Sequence, residues 1–493
     1  MLVLLTLLTL AAPPDSAIPV GIEKQLFLDD SLIASKGNIT RRIHPAEKYP
    51  GNPVLRATEP WEGKVAIVYG SVLRDQGHYR IWYYCDGSVA YAESDDGIAW
   101  RKPSLDVIEK DGRKTNLVVD RNAAEGEPGY IPYFYEIFGV FNDTRESDPA
   151  RRYKMGYLSV QRNYNGPRED PYHKGERRGL GVAGSPDGIH WTVLDSWATE
   201  ATCDGATHWM FDPARQKYVM YGRKKYIAPD LKEHWKEDEW FTKHYWGRVS
   251  ARAESSDFLH WDCKDPGSAP VVLGADTFDP PSTEIYGMYV WPCGAGYLGL
   301  AELFYNRPDD THLDQQLTYS RDSVHFERVG DRTPFIPCGP VGSWDRFNSS
   351  LATNPPVEVG DELRFYYGGR TYRHGPYNGP DKGDMGGAIG FASVKRDRFV
   401  SLEASFDGGQ IITKPVRLEN PVLHLNVKSD FGRIIVRVVD PSGATIAASK
   451  PVTVDSLDAR VEWESGSAPK PDAAVKLHIT LQNALLYALW TAP

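Results

Sequence analysis

The chain has 493 residues, 41% hydrophobic and 25% charged, which suits two globular domains and excludes a disordered or fibrous chain. A net charge of −10 excludes the basic face that nucleic-acid binding requires. An aromatic share of 12%, with 45 Gly and 36 Pro, favours many short strands joined by turns.

The chain opens on an apolar run, Met1 to Ala12, followed by Pro13-Pro14-Asp15-Ser16-Ala17. The run is too short to span a bilayer and ends in small residues, so residues 1–17 are expected to be a signal peptide, although no Lys or Arg precedes it. The expected location is secreted or periplasmic, and no later segment is long and apolar enough for a membrane span.

Aromatic-rich strand pairs follow in chain order. They are VAIVYGSVL (65–73) with HYRIWYYC (78–85), YFYEIFGVF (133–141) with RRYKMGYLSV (151–160), and THWMFDP (207–213) with KYVMYGR (217–223). EIYGMYVW (284–291) with YLGLAELF (297–304) and SLATNPPVEV (350–359) with LRFYYGG (363–369) complete the set. After the first four pairs come AESDDGIAW (92–100), AGSPDGIHW (183–191), AESSDFLHW (253–261) and TYSRDSVHF (318–326), and a degenerate copy lies at 390–402. Each aligned copy has Ser, one residue, Asp, a corner residue, an aliphatic residue and then an aromatic two further on. This is a hairpin in which Ser and Asp side chains bond turn N–H groups and a Gly or other small residue takes the corner. Asp96, Asp187, Asp257 and Asp322 are therefore read as turn formers.

Four-stranded units repeated five times predict an all-β chain with a five-bladed β-propeller over residues 18–405. No stretch shows a helical period, and the mixed charged and aromatic insertion LKEHWKEDEWFTKHYWGR (231–248) is expected to be a solvated lid segment. Residues 403–410 read as a linker, and the short alternating strands beyond it predict a β-sandwich over 406–493. Cys85, Cys203, Cys263, Cys293 and Cys338 are odd in number and contain no CxxC pair, which leaves buried thiols or one or two bridges. His374, Asp381 and Asp384 match no ligand spacing, so neither metal nor cofactor is expected.

In a propeller the leading residues of each innermost strand face a central funnel. Those are Glu59 and Glu62, then Tyr133, Tyr135 and Glu136, then Cys203 and Asp204, then Thr283 and Glu284, and finally Asp345, Arg346 and Asn348. Convergent carboxylates divide into a protonated donor and an ionised partner, which is what cleavage of a glycosidic bond needs. Asp204 and Glu284 are the expected pair, with Glu62 third. His208, Arg223, Tyr133, Arg346, Asn348 and Trp209 are expected to hold a carbohydrate substrate, and Trp61, Tyr286 and Trp344 are further stacking candidates. A glycan-binding propeller without catalysis, or a polysaccharide lyase using Tyr or His as base, are the alternatives.

LFLDDSLI (26–33), NPVL (52–55), YAESDDGIAW (91–100) and GGQIITKPV (408–416) resemble bacterial proteins of the glycosyl hydrolase family 32 N-terminal-like group, within the five-bladed propeller glycosidases of families 32 and 43. The resemblance implies the fold and the glycosidase class. The W-x-N-D-P-N-G, R-D-P and E-C motifs of invertase-like enzymes are absent in register, so it does not extend to fructosidase activity. Phe211-Asp212-Pro213 looks like the second of these, but it falls at the turn after its strand.

Overall fold

A computed structural model describes residues 17–170, 173–202, 204–264, 267–308, 311–347, 350–374, 386–466 and 473–493. The expected leader up to Ser16, together with Cys203, Asn348, Asp381 and Asp384, lies outside the described residues. The fold is nearly all β. It divides into two compact units: Pro45–Lys395, and Met1–His44 with Arg396–Pro493.

Pro45–Lys395 contains five main sheets in chain order. The first is Ala66–Asp75, His78–Cys85, Ser88–Ser94 and Leu117–Val119, and the second is Phe134–Asn142, Tyr153–Arg162, Glu176–Ser185 and Thr192–Thr199. The third is His208–Asp212, Lys217–Lys225, Arg248–Ser255 and Val271–Leu273. The fourth is Thr283–Cys293, Gly296–Tyr305 and Leu313–Ser320, edged by Glu327–Arg328 and Pro334–Ile336. The fifth, Val357–Val359, Glu362–Arg370 and Gly387–Lys395, is edged by Glu47–Lys48 and Leu55–Arg56 from the start of the unit. The strand expected over 350–359 shortens to Val357–Val359, because Pro355 and Pro356 have no N–H to give a ladder.

The Ser/Asp hairpins share one geometry. The Asp187 carboxylate accepts the Ile189 and His190 N–H groups at 2.8 and 2.9 Å and the Ser185 hydroxyl at 3.0 Å. Asp96, Asp257 and Asp322 repeat the pattern. The residue after each Asp is left-handed: Gly97, Gly188, Phe258 and Ser323 have φ of 73°, 81°, 69° and 63°. Phe258 departs from the small corner residue expected. Its buried ring packs against Trp209, Phe141 and Trp261, which offsets the backbone cost.

Each sheet touches the next. Trp82, Tyr221 and Tyr366, each fifth in the second strand of its sheet, donate to the corner carbonyls of Gly188, Ser323 and Gly97 at 2.6, 2.9 and 2.8 Å. These bonds tie the first sheet to the second, the third to the fourth, and the fifth to the first. Phe138 and Trp209 join the second sheet to the third, and Trp291 and Phe365 join the fourth to the fifth.

The other unit has two sheets around one apolar core that includes Val20, Phe27, Leu402, Leu425, Val436, Ile479 and Leu489. Residues 18–43, read from sequence as part of the first domain, pair here with strands beyond residue 399. Ile18–Val20 runs parallel to Val416–Leu418, Ile33–Gly37 pairs with Gly409–Thr413, and Thr40–Ile43 pairs with Val400–Ala404. Short strands of this kind carry no signal of their partner, since pairing depends on residues nearly 400 positions away.

Candidate active site

All five sheets of Pro45–Lys395 supply side chains to one cluster. Tyr69 comes from the first sheet, Glu136 from the second, Arg223 from the third with Asp204 in the loop ahead of it, Tyr286 and Glu302 from the fourth, and Arg370 from the fifth. Burial keeps the Tyr69 phenol protonated, and the charges bearing on it include Glu302, Arg370 and Glu136 from three other sheets.

The local backbone explains the aim of these side chains. Register breaks fall between Ile67 and Ser71, between Phe134 and Glu136, and between Ile285 and Gly287, so Tyr69, Glu136 and Tyr286 all sit at bulges. A bulge turns a side chain that regular pleating would send elsewhere. Tyr133, Ala206 and Ser282, just before the first strands of the second, third and fourth sheets, have φ of 59°, 56° and 66°. Strained residues of this kind collect where structure serves a site rather than stability.

Two carboxyl groups of the cluster are pushed in opposite directions. Asp204 receives the Arg223 guanidinium at 2.7 Å and the Gly205 N–H at 2.9 Å, with Arg178 at 3.6 Å. Burial would raise its pKa, but Arg223, that N–H, Arg248 and Arg178 together hold it well below the usual range. Glu136 is raised to about 7, first by burial and then by the Asp204 charge, while Arg223, Arg370 and Arg121 pull it back. The two groups are brought together by Gly205, where a Cβ would lie 2.2 Å from Glu136 Oε1. Glu302 is also raised to about 7, by burial; it has no exposed surface, and among the described residues neither oxygen has a hydrogen bond of ordinary geometry.

Exposure separates the carboxyl groups that can meet a substrate from those that cannot. The Asp204 side chain is 29% exposed and Glu136 is half-buried, whereas Glu302, Glu284 and Glu62 are sealed. His374, at the end of a described stretch, stands edge-on to Tyr286 and Phe304 at 4.9 and 5.1 Å. Burial and the Arg370, Arg248 and Arg223 charges keep it neutral.

Several sequence expectations need correcting. Glu284 does not face a substrate: its carboxylate pairs with Arg248 and accepts the Trp246 N–H at 2.9 Å and the Asn306 side chain at 3.3 Å. Glu62 lies in a separate network of Tyr83, Lys102 at 2.5 Å and the Thr58 and Glu59 N–H groups. Burial acting on Glu62 is outweighed by those donors, so its pKa falls; neither Glu62 nor Asp204 has the raised value that clustered acids were expected to produce. Trp209 is core, packed on Phe138 and Phe258. His208 is fully buried, with Nε2 bonded to the Val290 carbonyl oxygen at 2.7 Å and its pKa brought down to about 4 by burial.

The other expected binding residues fall into two groups. Arg223 belongs to the cluster, with its guanidinium bonded to the Tyr286 carbonyl and lying 3.8 Å from that ring. Tyr133 is 43% exposed and leans on Trp197 at 5.2 Å, while Arg346 lies over Phe347 at 5.1 Å.

The insertion contains two six-residue helices, Pro229–His234 and Glu239–His244, too short to show a period in the sequence. Leu231, Trp235 and Phe241 form its small core, and the Tyr245 hydroxyl donates to the Thr283 carbonyl at 3.1 Å. It ends on Trp246, which is 46% exposed and stacks over Lys225 at 3.8 Å.

No protein-family model matches the chain, and no curated protein matches it in sequence. Among solved structures it is similar to an N-acetylgalactosamine deacetylase from F. plautii in complex with blood group B trisaccharide, at 14% identity over 73% of this chain and 96% of that one, with a TM-score of 0.44. It is similar to a thermostable family-43 glycoside hydrolase at 12% identity, over 70% and 96% of the two chains, with a TM-score of 0.43. A member of the GH130 family, described as containing glycoside hydrolases that target β-1,2 mannosidic linkages in Candida mannan, matches at 15% identity over 72% and 94%, with a TM-score of 0.45. Likeness at this level carries no functional argument.

Proposed function

We propose that Pro45–Lys395 is a five-bladed β-propeller acting as a glycoside hydrolase, with Glu136 as proton donor and Asp204 as its ionised partner. The other unit is read as a β-sandwich, and the apolar leader supports a secreted or periplasmic protein. Five consecutive sheets, each touching the next and the fifth touching the first, support the propeller.

The observation that carries the activity is the split between two neighbouring, reachable carboxyls: Glu136 raised to about 7 and Asp204 lowered. A glycosidic oxygen leaves only when it gains a proton as the C–O bond breaks, and Glu136 holds that proton near neutrality. Asp204, ionised over the same range, takes a proton from the attacking water or attacks the anomeric carbon itself. Glu302 is fully buried, and its partial protonation limits the negative charge the site must hold. Tyr133 and Trp246 offer exposed faces on which a sugar ring can stack.

The test is a panel of aryl glycosides and plant and algal polysaccharides, assayed for released reducing ends. Glu136→Gln and Asp204→Asn should each lower kcat by about a thousandfold or more, with unchanged circular dichroism. Binding without turnover in wild type would favour a glycan-binding propeller, and unsaturated products would favour a lyase.

A further inference from the structure

We infer that Arg121 and Arg370 form a subsite for an anionic group carried by the sugar, the carboxylate of a hexuronic acid. The inference rests on the glycoside hydrolase reading and names its substrate class. The other guanidiniums around the cluster are committed: Arg223 to Asp204, Arg248 to Glu284, Arg178 to Glu176 and Arg177 to Glu200. Arg121 and Arg370 differ. Among the described residues neither has a carboxylate within ion-pair distance, and the buried Arg370 Nε has no acceptor.

Both side chains are nevertheless held in place. Arg121 lies over the Tyr135 ring at 4.4 Å and runs past Gly87, where a Cβ would come within 2.7 Å of its Cδ. Arg370 ends the second strand of the fifth sheet, 5.4 Å from the Tyr372 ring, with its backbone bonded in both directions to Phe347. Arg121 lies in the turn after the strand Leu117–Val119 and Arg370 in the fifth sheet, yet both bear on the same two groups, Glu136 and Tyr84.

Burying the Arg370 Nε without an acceptor, beside the partly exposed Arg121, is costly, and a neutral sugar returns little of that cost. A carboxylate matches the planar fork of arginine and returns more. The chain as a whole carries a net charge of −10, so local positive charge beside the proton donor is a property of the site. A bound carboxylate there would also help Glu136 keep its proton.

Calorimetry on Glu136→Gln, which binds without turnover, tests this with galacturonate and glucuronate oligosaccharides, their neutral galactose and glucose counterparts, sulfated counterparts, and inorganic phosphate alone. Uronates should bind at least about tenfold tighter than neutral sugars, with a preference that weakens as salt rises. Arg370→Gln and Arg121→Gln should remove that preference, bringing uronate affinity down to that of the neutral sugars, and Arg370→Lys should restore part of it. Equal affinity for charged and neutral sugars overturns the subsite, as does a loss common to both classes. Tighter binding of the sulfated sugar, or of phosphate alone, overturns the choice of a sugar carboxylate. Uronate preference with full activity in Asp204→Asn would instead overturn the catalytic reading and leave the subsite standing. No binding to any glycan overturns both.

Discussion

Replacing Glu302 by Gln should make the protein more stable above neutral pH. Glu302 lies inside the strand Gly296–Tyr305, has no exposed surface, and is raised by burial from the usual value near 4.5 to about 7. A carboxyl raised in the folded state favours folding fully at pH below its unfolded value, and that contribution is lost as pH rises through the folded value. At 1.36 kcal/mol per unit, the gap corresponds to about 3 kcal/mol lost from wild type between roughly pH 5 and pH 8. Gln has the same shape and no charge, so the variant escapes the loss. Urea unfolding followed by tryptophan fluorescence should give nearly equal stabilities at pH 5 and a variant more stable by up to about 3 kcal/mol at pH 8. Glu136 titrates in both proteins and cancels in the difference. Parallel curves across the range would mean that Glu302 is ionised and compensated, refuting the electrostatic description of the cluster.

Gly205→Ala should push Glu136 away from Asp204, because the added carbon would lie 2.2 Å from Glu136 Oε1; turnover should fall about a hundredfold while the melting temperature holds. Glu284→Ala should instead unfold the unit, since it leaves Arg248 buried without its counter-charge at a cost of about 3–5 kcal/mol, read as a large drop in melting temperature. Asp187→Ala removes the acceptor for two turn N–H groups and should cost about 1–2 kcal/mol by denaturation, with activity unchanged.

The repeat was legible because its chemistry is local. Ser185, Asp187 and Gly188 make their turn with one another, so three letters suffice to read it. Asp204, in the loop ahead of the strand His208–Asp212, and Glu136, near the start of Phe134–Asn142, both stood among the leading residues singled out from sequence, although Glu136 was not chosen. What separates Glu136 from Glu62 lies elsewhere in the chain. Tyr83, Lys102 and the Thr58 N–H neutralise Glu62, whereas Asp204 faces Glu136 across Gly205. Glu302 was hidden in an apolar strand, YLGLAELF, where a lone acid amid buried residues was the available signal. Arg370 follows Gly368-Gly369 at a strand end, and nothing near it in sequence reveals that it has no carboxylate within ion-pair distance among the described residues. Trp209 and His208 failed for the reverse reason: strand order placed them near the funnel, but the packing of neighbouring sheets turned both into the core.

The central claim is that Glu136 delivers the proton because burial, reinforced by the Asp204 charge, holds its pKa near 7. The pH dependence of kcat/KM on any glycan the protein cleaves tests it most directly. In wild type, activity should be full on the acid side of about 7 and fall as pH rises through that value, where Glu136 loses its proton. Asp204→Asn removes the neighbouring negative charge, so the residual activity should fall away about one unit lower in pH. In Glu136→Gln that limb should vanish. A limb that stays near 7 in Glu136→Gln, or that does not move in Asp204→Asn, would contradict the account.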